Sequence, residues 1–210
     1  TLDLLQFVPP RDFVKISRLI LENRSAEIRR RSVTAIAEWV LGVGRTRSAP
    51  SGVTDIDPET GAMVARNAWN GEFGNRIAFA DLGGRQTSWT ADRLEFLGRN
   101  TSLSHPVSLE RGAELSGKVG AGLDPCAALQ VQVELEPGER TEVLFFLGQG
   151  ENHDEARSLV HRYRKVDCDV ALQEVKEHWE RVLGAVQVKT RDPSMDLLLN
   201  RWVLYQTLSC

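Results

Sequence analysis

The period of the apolar positions divides the chain. From 127 to 135 apolar and polar residues alternate, with Leu129, Val131, Val133 and Leu135 on one face and Gln130, Gln132 and Glu134 on the other, as in a half-buried strand. Pro137-Gly138 follows and suits a type II turn, proline presetting φ and glycine supplying a positive one. The next run, 142–148, is apolar on both faces, which predicts a hairpin whose second strand is central in its sheet. Positions 33–41 alternate in the same way, placing Val33, Ala35, Ala37, Trp39 and Leu41 together, and 14–22 reads as a strand ended by Asn23-Arg24-Ser25. A second hairpin turns at Asp57-Pro58-Glu59-Thr60-Gly61 into 62–66, and 76–82 and 89–96 read as further strands. The Gly-, Ser- and Pro-rich stretches 42–53 and 98–124 read as long surface connections. Many short strands joined by turn chemistry predict a mainly β fold, an antiparallel β-sandwich or barrel.

After Gly150 the period becomes helical. Asn152 with Glu155 three residues on forms a capping-box pattern, and Ala156, Leu159, Val160 and Tyr163 make one apolar stripe. A second helix is expected from about Asp167, carrying Leu172, Val175, Trp179, Val182 and Leu183 and stopping at Gly184. Residues 186–190 read as a short strand or extended linker. Asp192-Pro193 opens a third helix, aspartate as N-cap and proline at the first helical position, with Met195, Leu198, Leu199, Trp202, Tyr205 and Leu208 on a broad apolar face. Such a face needs a surface to pack on, either the sandwich or a partner. The expected organisation is a β-sandwich domain over 1–150, a helical linker over 151–191, and over 192–210 the start of a linker or barrel helix that the chain cuts short.

Length and charge narrow the function. At 210 residues and 41% hydrophobic content the chain can bury one sizeable core. A net charge of −3 gives no basic footprint for nucleic acid and no polybasic handle for anionic lipid. No apolar run approaches the ~20 residues a membrane span needs, and Thr1-Leu2-Asp3-Leu4 lacks the character of a signal peptide, so no membrane contact is expected. Cys126, Cys168 and Cys210 are odd in number and far apart, which points to plain thiols in a reducing compartment.

Motifs for chemistry are missing: there is no nucleophile elbow, phosphate loop, zinc-helix motif or dinucleotide-binding glycine pattern. His105, His153, His161 and His178 have no metal-ligand spacing, so neither a metal nor a cofactor is expected. Asp92 and Glu95, read within one strand, fall on opposite faces and make no facing pair. One cluster, Arg66-Asn67-Ala68-Trp69-Asn70-Gly71-Glu72-Phe73, mixes aromatic, amide and charged groups. Tryptophan covers the C–H face of a sugar while asparagine, arginine and glutamate bond its hydroxyls; the same surface also suits a protein interface or a plain loop. Trp69, Asn70 and Glu72 are therefore candidate carbohydrate or interface contacts.

Several segments together carry a resemblance. Arg66-Asn67-Ala68-Trp69-Asn70, Phe79-Ala80-Asp81-Leu82, Ser88-Trp89-Thr90-Ala91-Asp92-Arg93, Glu95-Phe96-Leu97-Gly98-Arg99-Asn100, Gly122-Leu123-Asp124-Pro125-Cys126, Phe145-Phe146-Leu147-Gly148-Gln149-Gly150 and Leu199-Asn200-Arg201-Trp202 resemble the amino-terminal sandwich and linker of glycoside hydrolase family 94, formerly glycosyltransferase family 36. Within it the chain is most similar to the phosphorylase-like part of cyclic β-1,2-glucan synthases. The resemblance implies a galactose-mutarotase-like supersandwich followed by α-helices, and as partner an (α/α)-barrel catalytic domain of the same parent chain. Family members make or cleave glycosidic bonds with inorganic phosphate and invert the anomeric carbon, a barrel aspartate being the general acid. No position here matches that aspartate, so no catalytic residue is carried over. The sandwich's implied part in subunit contacts and beside the active site would suit Trp69, Asn70, Arg85, Trp89 and Arg93. β-Glucan and a homodimer partner are further expectations, as is a cytoplasmic placement, the parent being an inner-membrane protein. Three readings stand: a supporting and docking domain, a β-glucan-binding module, or a self-sufficient enzyme with an unfamiliar site.

Overall fold

The computed structural model describes residues 1–110, 112 and 114–209, without the side chains of 208 and 209. Its strands are β1 (Leu2–Phe7), β2 (Val14–Glu22), β3 (Arg29–Glu38), β4 (Val53–Ile56), β5 (Met63–Arg66), β6 (Ile77–Asp81), β7 (Ser88–Asp92), β8 (Gly120–Ala121), β9 (Pro125–Leu135) and β10 (Arg140–Gly150). They form two sheets with antiparallel pairing, one of seven strands in the order β1-β2-β10-β6-β5-β4-β8 and one of three in the order β3-β9-β7. The helices are α1 (Arg45–Ser48), α2 (Arg93–Leu97), α3 (Val107–Glu110), α4 (His153–Tyr163), α5 (Cys168–Leu183), α6 (Pro193–Leu197) and α7 (Val203–Ser209), with a π-helical turn, Leu198–Trp202, between the last two. The chain divides into two compact units, one of residues 1–7 and 13–166 and one of 8–12 and 167–210.

The core of the first unit lies between the sheets. Leu129, Val131, Val133 and Leu135 of β9 face Leu21, Met63, Ala65, Ala80 and Val143 of the larger sheet, all buried in one cluster. β10 is central, between β2 and β6, as its two apolar faces predict. Val143, Phe145 and Leu147 face the sandwich interior, while Phe146 is fully buried with its ring 6.0 Å from that of Tyr163 on α4. The hairpin expected between 127–135 and 142–148 does not form. β9 and β10 lie in different sheets, and the Pro137-Gly138 turn is an arch between layers. Gly138 has the positive φ, +79°, that the turn requires. The two runs bury their apolar faces against each other instead of pairing edge to edge. Asn23 holds the arch, its Nδ2 donating to Leu135 O at 2.9 Å and Glu136 O at 3.1 Å.

Other expectations differ in detail. β4 and β5 pair across the Asp57–Gly61 turn as predicted. The strand read over 89–96 ends at Asp92, whose carboxylate accepts from Leu94 N at 3.0 Å and caps α2. β1 was not predicted. The connections 42–53 and 98–124 contain α1, and α3 with β8, respectively. Asn152 caps α4 by accepting from Glu155 N at 2.9 Å, and Glu155 reaches back to Glu151 N at 2.6 Å.

Two buried ion pairs fasten α4 to the sandwich. Asp81, fully buried at the end of β6, receives Arg164 Nε at 2.9 Å and Nη2 at 2.6 Å. Asp57 receives Arg157 Nε at 2.8 Å, Thr60 N at 2.9 Å and Thr60 Oγ1 at 2.8 Å. Burial opposes the Asp57 charge, but the bonds from Thr60 and Arg157 outweigh it and hold the carboxyl below its ordinary value.

In the second unit Asp167 caps α5 and Asp192 caps α6, with Pro193 at the first helical position. Of the two alternatives for 186–190, a short strand or an extended linker, the linker is found, its Val188 bonded through both N and O to the Asn200 side chain at 2.7 and 2.8 Å. Leu197 and Trp202 are 67% and 56% exposed and line an apolar concavity of about 660 Å³ with Leu183, Leu198 and Tyr205. Leu208 of the expected stripe, by its side chain, and Cys210 lie outside the described residues.

Candidate carbohydrate-contact site

The mixed cluster after β5 is a built loop. Asn67 is buried; its Nδ2 donates to Leu41 O at 2.8 Å and its Oδ1 accepts from Trp69 N at 3.0 Å. Asn70 Oδ1 accepts from the amides of Glu72 and Phe73, each at 3.3 Å. Gly74 permits the tight return, since a Cβ there would sit 2.6 Å from Asn70 O. The Arg76 guanidinium then lies over the rings of Phe73, at 5.2 Å, and Phe13, at 5.9 Å. Between this loop and the turn 40–43 is a cleft of about 440 Å³, lined on its polar side by Asn67, Asn70, Glu72, Arg76 and Gln149 and on its apolar side by Val40, Leu41, Val43, Phe73 and Ala78.

Of the six residues singled out, Asn70 and Glu72 line this cleft, and Trp69 stands next to Asn70 with 85% of its surface exposed. The other three are elsewhere. Arg85 follows the Gly83-Gly84 turn and donates to Glu142 O at 2.8 Å. Trp89 packs against the sandwich core, its indole N–H without a hydrogen-bond partner among the described residues. Arg93 belongs to a four-membered ion-pair ring with Glu38, Arg45 and Asp124. Phe73, a member of the mixed cluster though not one of the six, lines the cleft too, as do Arg76 and Gln149 from outside that cluster. Phe73 and Arg76 carried a signal in their spacing of three within the loop; Gln149 carried none, because sheet order brings it there.

The carboxylates that might do chemistry are otherwise engaged. Asp92 pairs with Lys118, and Glu95 accepts from Thr90 Oγ1 at 2.7 Å, Ser116 N at 3.0 Å and Ser116 Oγ at 2.7 Å. These two lie on successive elements, β7 and α2, not on opposite faces of one strand. Burial pushes the Cys126 thiol up to about 12, assisted by Asp92, Asp124 and Glu38, so it is no nucleophile. Among the described residues, no three His, Cys, Asp or Glu side chains come together as a metal-ligand set, and no helix is long and apolar enough to cross a membrane.

Residues 1–166 match the family model described as glycosyl hydrolase 94, supersandwich domain. A curated relative, the cyclic beta-(1,2)-glucan synthase NdvB of Rhizobium meliloti, is 36% identical over 93% of this chain, a match spanning 7% of the relative. An N,N'-diacetylchitobiose phosphorylase of Vibrio proteolyticus is 30% identical over 59% of this chain and 15% of its own. Among solved structures, a putative kojibiose phosphorylase from the human microbiome shares the fold with a TM-score of 0.51 at 8% identity, over 99% of this chain and 26% of that one. The chain thus spans a small part of each relative's length. With two packed sheets over the matched residues, it belongs to the glycosyl hydrolase 94 family and carries that family's supersandwich domain.

Proposed function

We propose that the chain is a non-catalytic β-sandwich with a helical segment in a glycoside phosphorylase or glucan synthase-type enzyme, and that it supports and docks the (α/α)-barrel where the chemistry occurs. The observation that carries this reading is the exposed apolar stripe of the second unit, with Leu197, Trp202 and Tyr205 open around the concavity. The engagement of Asp57, Asp81, Asp92 and Glu95 in structural bonds supports it, since an inverting reaction needs a carboxylic acid free to give its proton to the leaving oxygen. Residues 1–150 form the sandwich in this reading, 151–191 the linker, and 192–210 the first helix to meet the barrel. The setting is cytoplasmic. Incubated with β-1,2-glucan and inorganic phosphate, the chain is expected to release no glucose 1-phosphate; steady release that stays with the protein through repurification counts against the reading.

A second reading, β-glucan binding by the sandwich, is favoured by one feature: exposed Trp69 beside the cleft lined by Asn70, Glu72 and Arg76. Calorimetric titration with linear and cyclic β-1,2-glucans tests it. Binding that weakens at least about tenfold, about 1.4 kcal/mol, in Trp69→Ala supports it, and no heat up to millimolar sugar removes it.

A further inference from the structure

The buried carboxylates of the sandwich are spent on cations: Asp57 and Asp81 hold the arginines of α4 and its C-cap, and Asp92 holds Lys118. The cleft between the turn 40–43 and the loop after β5 differs. Of its five polar residues, only Asn67 has both ends of its side chain in structural bonds. Asn70 uses its Oδ1 on the loop amides, and its Nδ2 has no partner among the described residues. Glu72, Arg76 and Gln149 make no side-chain hydrogen bond or ion pair among the described residues. Glu72 and Arg76 thus bring opposite charges to one cleft without pairing with each other. The rings of Phe73 and Phe13 steady the Arg76 guanidinium instead, at 5.2 and 5.9 Å. Unused donors and acceptors therefore converge on a space of about 440 Å³, toward the small end of the ~300–1,000 Å³ usual for small-molecule sites. Val43 and Phe73, 98% and 44% exposed, stand on its apolar side.

We infer that the cleft binds an uncharged vicinal diol of a pyranose ring. The Glu72 carboxylate accepts from the two neighbouring hydroxyls, and the Arg76 fork with the amides of Asn70 and Gln149 bonds the remaining oxygens. This rests on the β-glucan-binding reading and narrows it, naming the part of the glucan that is read. A full negative charge on the ligand would meet Glu72 and a full positive charge Arg76, so the ligand is neutral. Val43 and Phe73 offer aliphatic and aromatic surface to the C–H face of the ring. Linkage then decides what the cleft can take. Every unit of a cyclic β-1,2-glucan keeps its 3- and 4-hydroxyls, a vicinal pair. The units within a β-1,3-glucan chain keep the 2-, 4- and 6-hydroxyls, no two of them on adjacent carbons. A carboxylate that needs two adjacent hydroxyls is left half-used by the second, and a buried polar group without its partner is what makes such a site selective.

Calorimetric titration of the whole chain with cyclic β-1,2-glucan, which has no chain ends, and with a long linear β-1,3-glucan tests the inference. The cyclic glucan is expected to bind at least about tenfold more tightly per glucosyl unit. Glu72→Gln, which keeps the size of an exposed side chain and removes its charge, is expected to weaken that binding at least about tenfold at an unchanged melting temperature. Arg76→Lys, which keeps the charge and removes the fork, is expected to weaken it as well. Equal binding of the two glucans, or cyclic-glucan binding that survives both substitutions, overturns this inference and leaves the β-glucan reading standing. No heat with either glucan overturns both.

Discussion

Arg164 and Asp57 show how much of this fold rests on single polar groups. Asp81 has no access to water, and the Arg164 fork is the cation that offsets its charge. Arg164→Ala leaves that carboxylate buried without its partner and is expected to cost about 3 kcal/mol, read as a lowered denaturant midpoint at unchanged slope. Gly84 is tied to the same contact: a Cβ there would lie 2.9 Å from Arg164 Cζ, and its φ of +74° already excludes most side chains. Asp57 gives the chain an acid-side dependence. Its carboxyl is held below the ordinary value of 3.8, so it binds a proton less readily folded than unfolded. Its contribution is therefore full above that ordinary value and is lost as pH falls through the folded one. Denaturation curves from neutral pH to about pH 3 are expected to show stability falling on the acid side, and Asp57→Asn to flatten that fall.

At the scale of elements, local patterns were legible wherever a residue's own neighbours decide its conformation. The alternation of β9, the turn between β4 and β5, and the caps of α4, α5 and α6 follow from residues within a few positions of one another. The caps carry measurable energy: Asn152→Ala is expected to cost about 1 kcal/mol, and Asn152→Asp to retain most of it, in thermal or denaturant unfolding. What sequence could not supply was the choice between hairpin and arch. Pro137-Gly138 makes the same turn in either, and only the burial of Val143 against Val131 and Val133, set by both sheets together, decides it. β1 escaped for a related reason: its inner leucines, Leu2 and Leu4, are followed by an outer Leu5 that blurs the alternation. The cleft divides similarly. Asn70 and Glu72 belong to one local cluster, while Val43 and Gln149 reach it from distant strands and turns. Arg85, Trp89 and Arg93 share the cluster's residue types without its location.

At the scale of the whole molecule, the proposed function makes the sandwich a support and a surface for chemistry performed in another part of the parent enzyme. Its buried carboxylates hold helix α4 in place, its exposed Trp69 stands beside a cleft with one polar and one apolar side, and its helical unit presents an apolar concavity. The reverse reaction examines that claim most directly: phosphorus NMR of the chain with glucose 1-phosphate and a β-1,2-glucan acceptor. The glucose 1-phosphate resonance is expected to persist undiminished. Conversion to inorganic phosphate at a rate proportional to chain concentration, retained after repurification, would contradict the account.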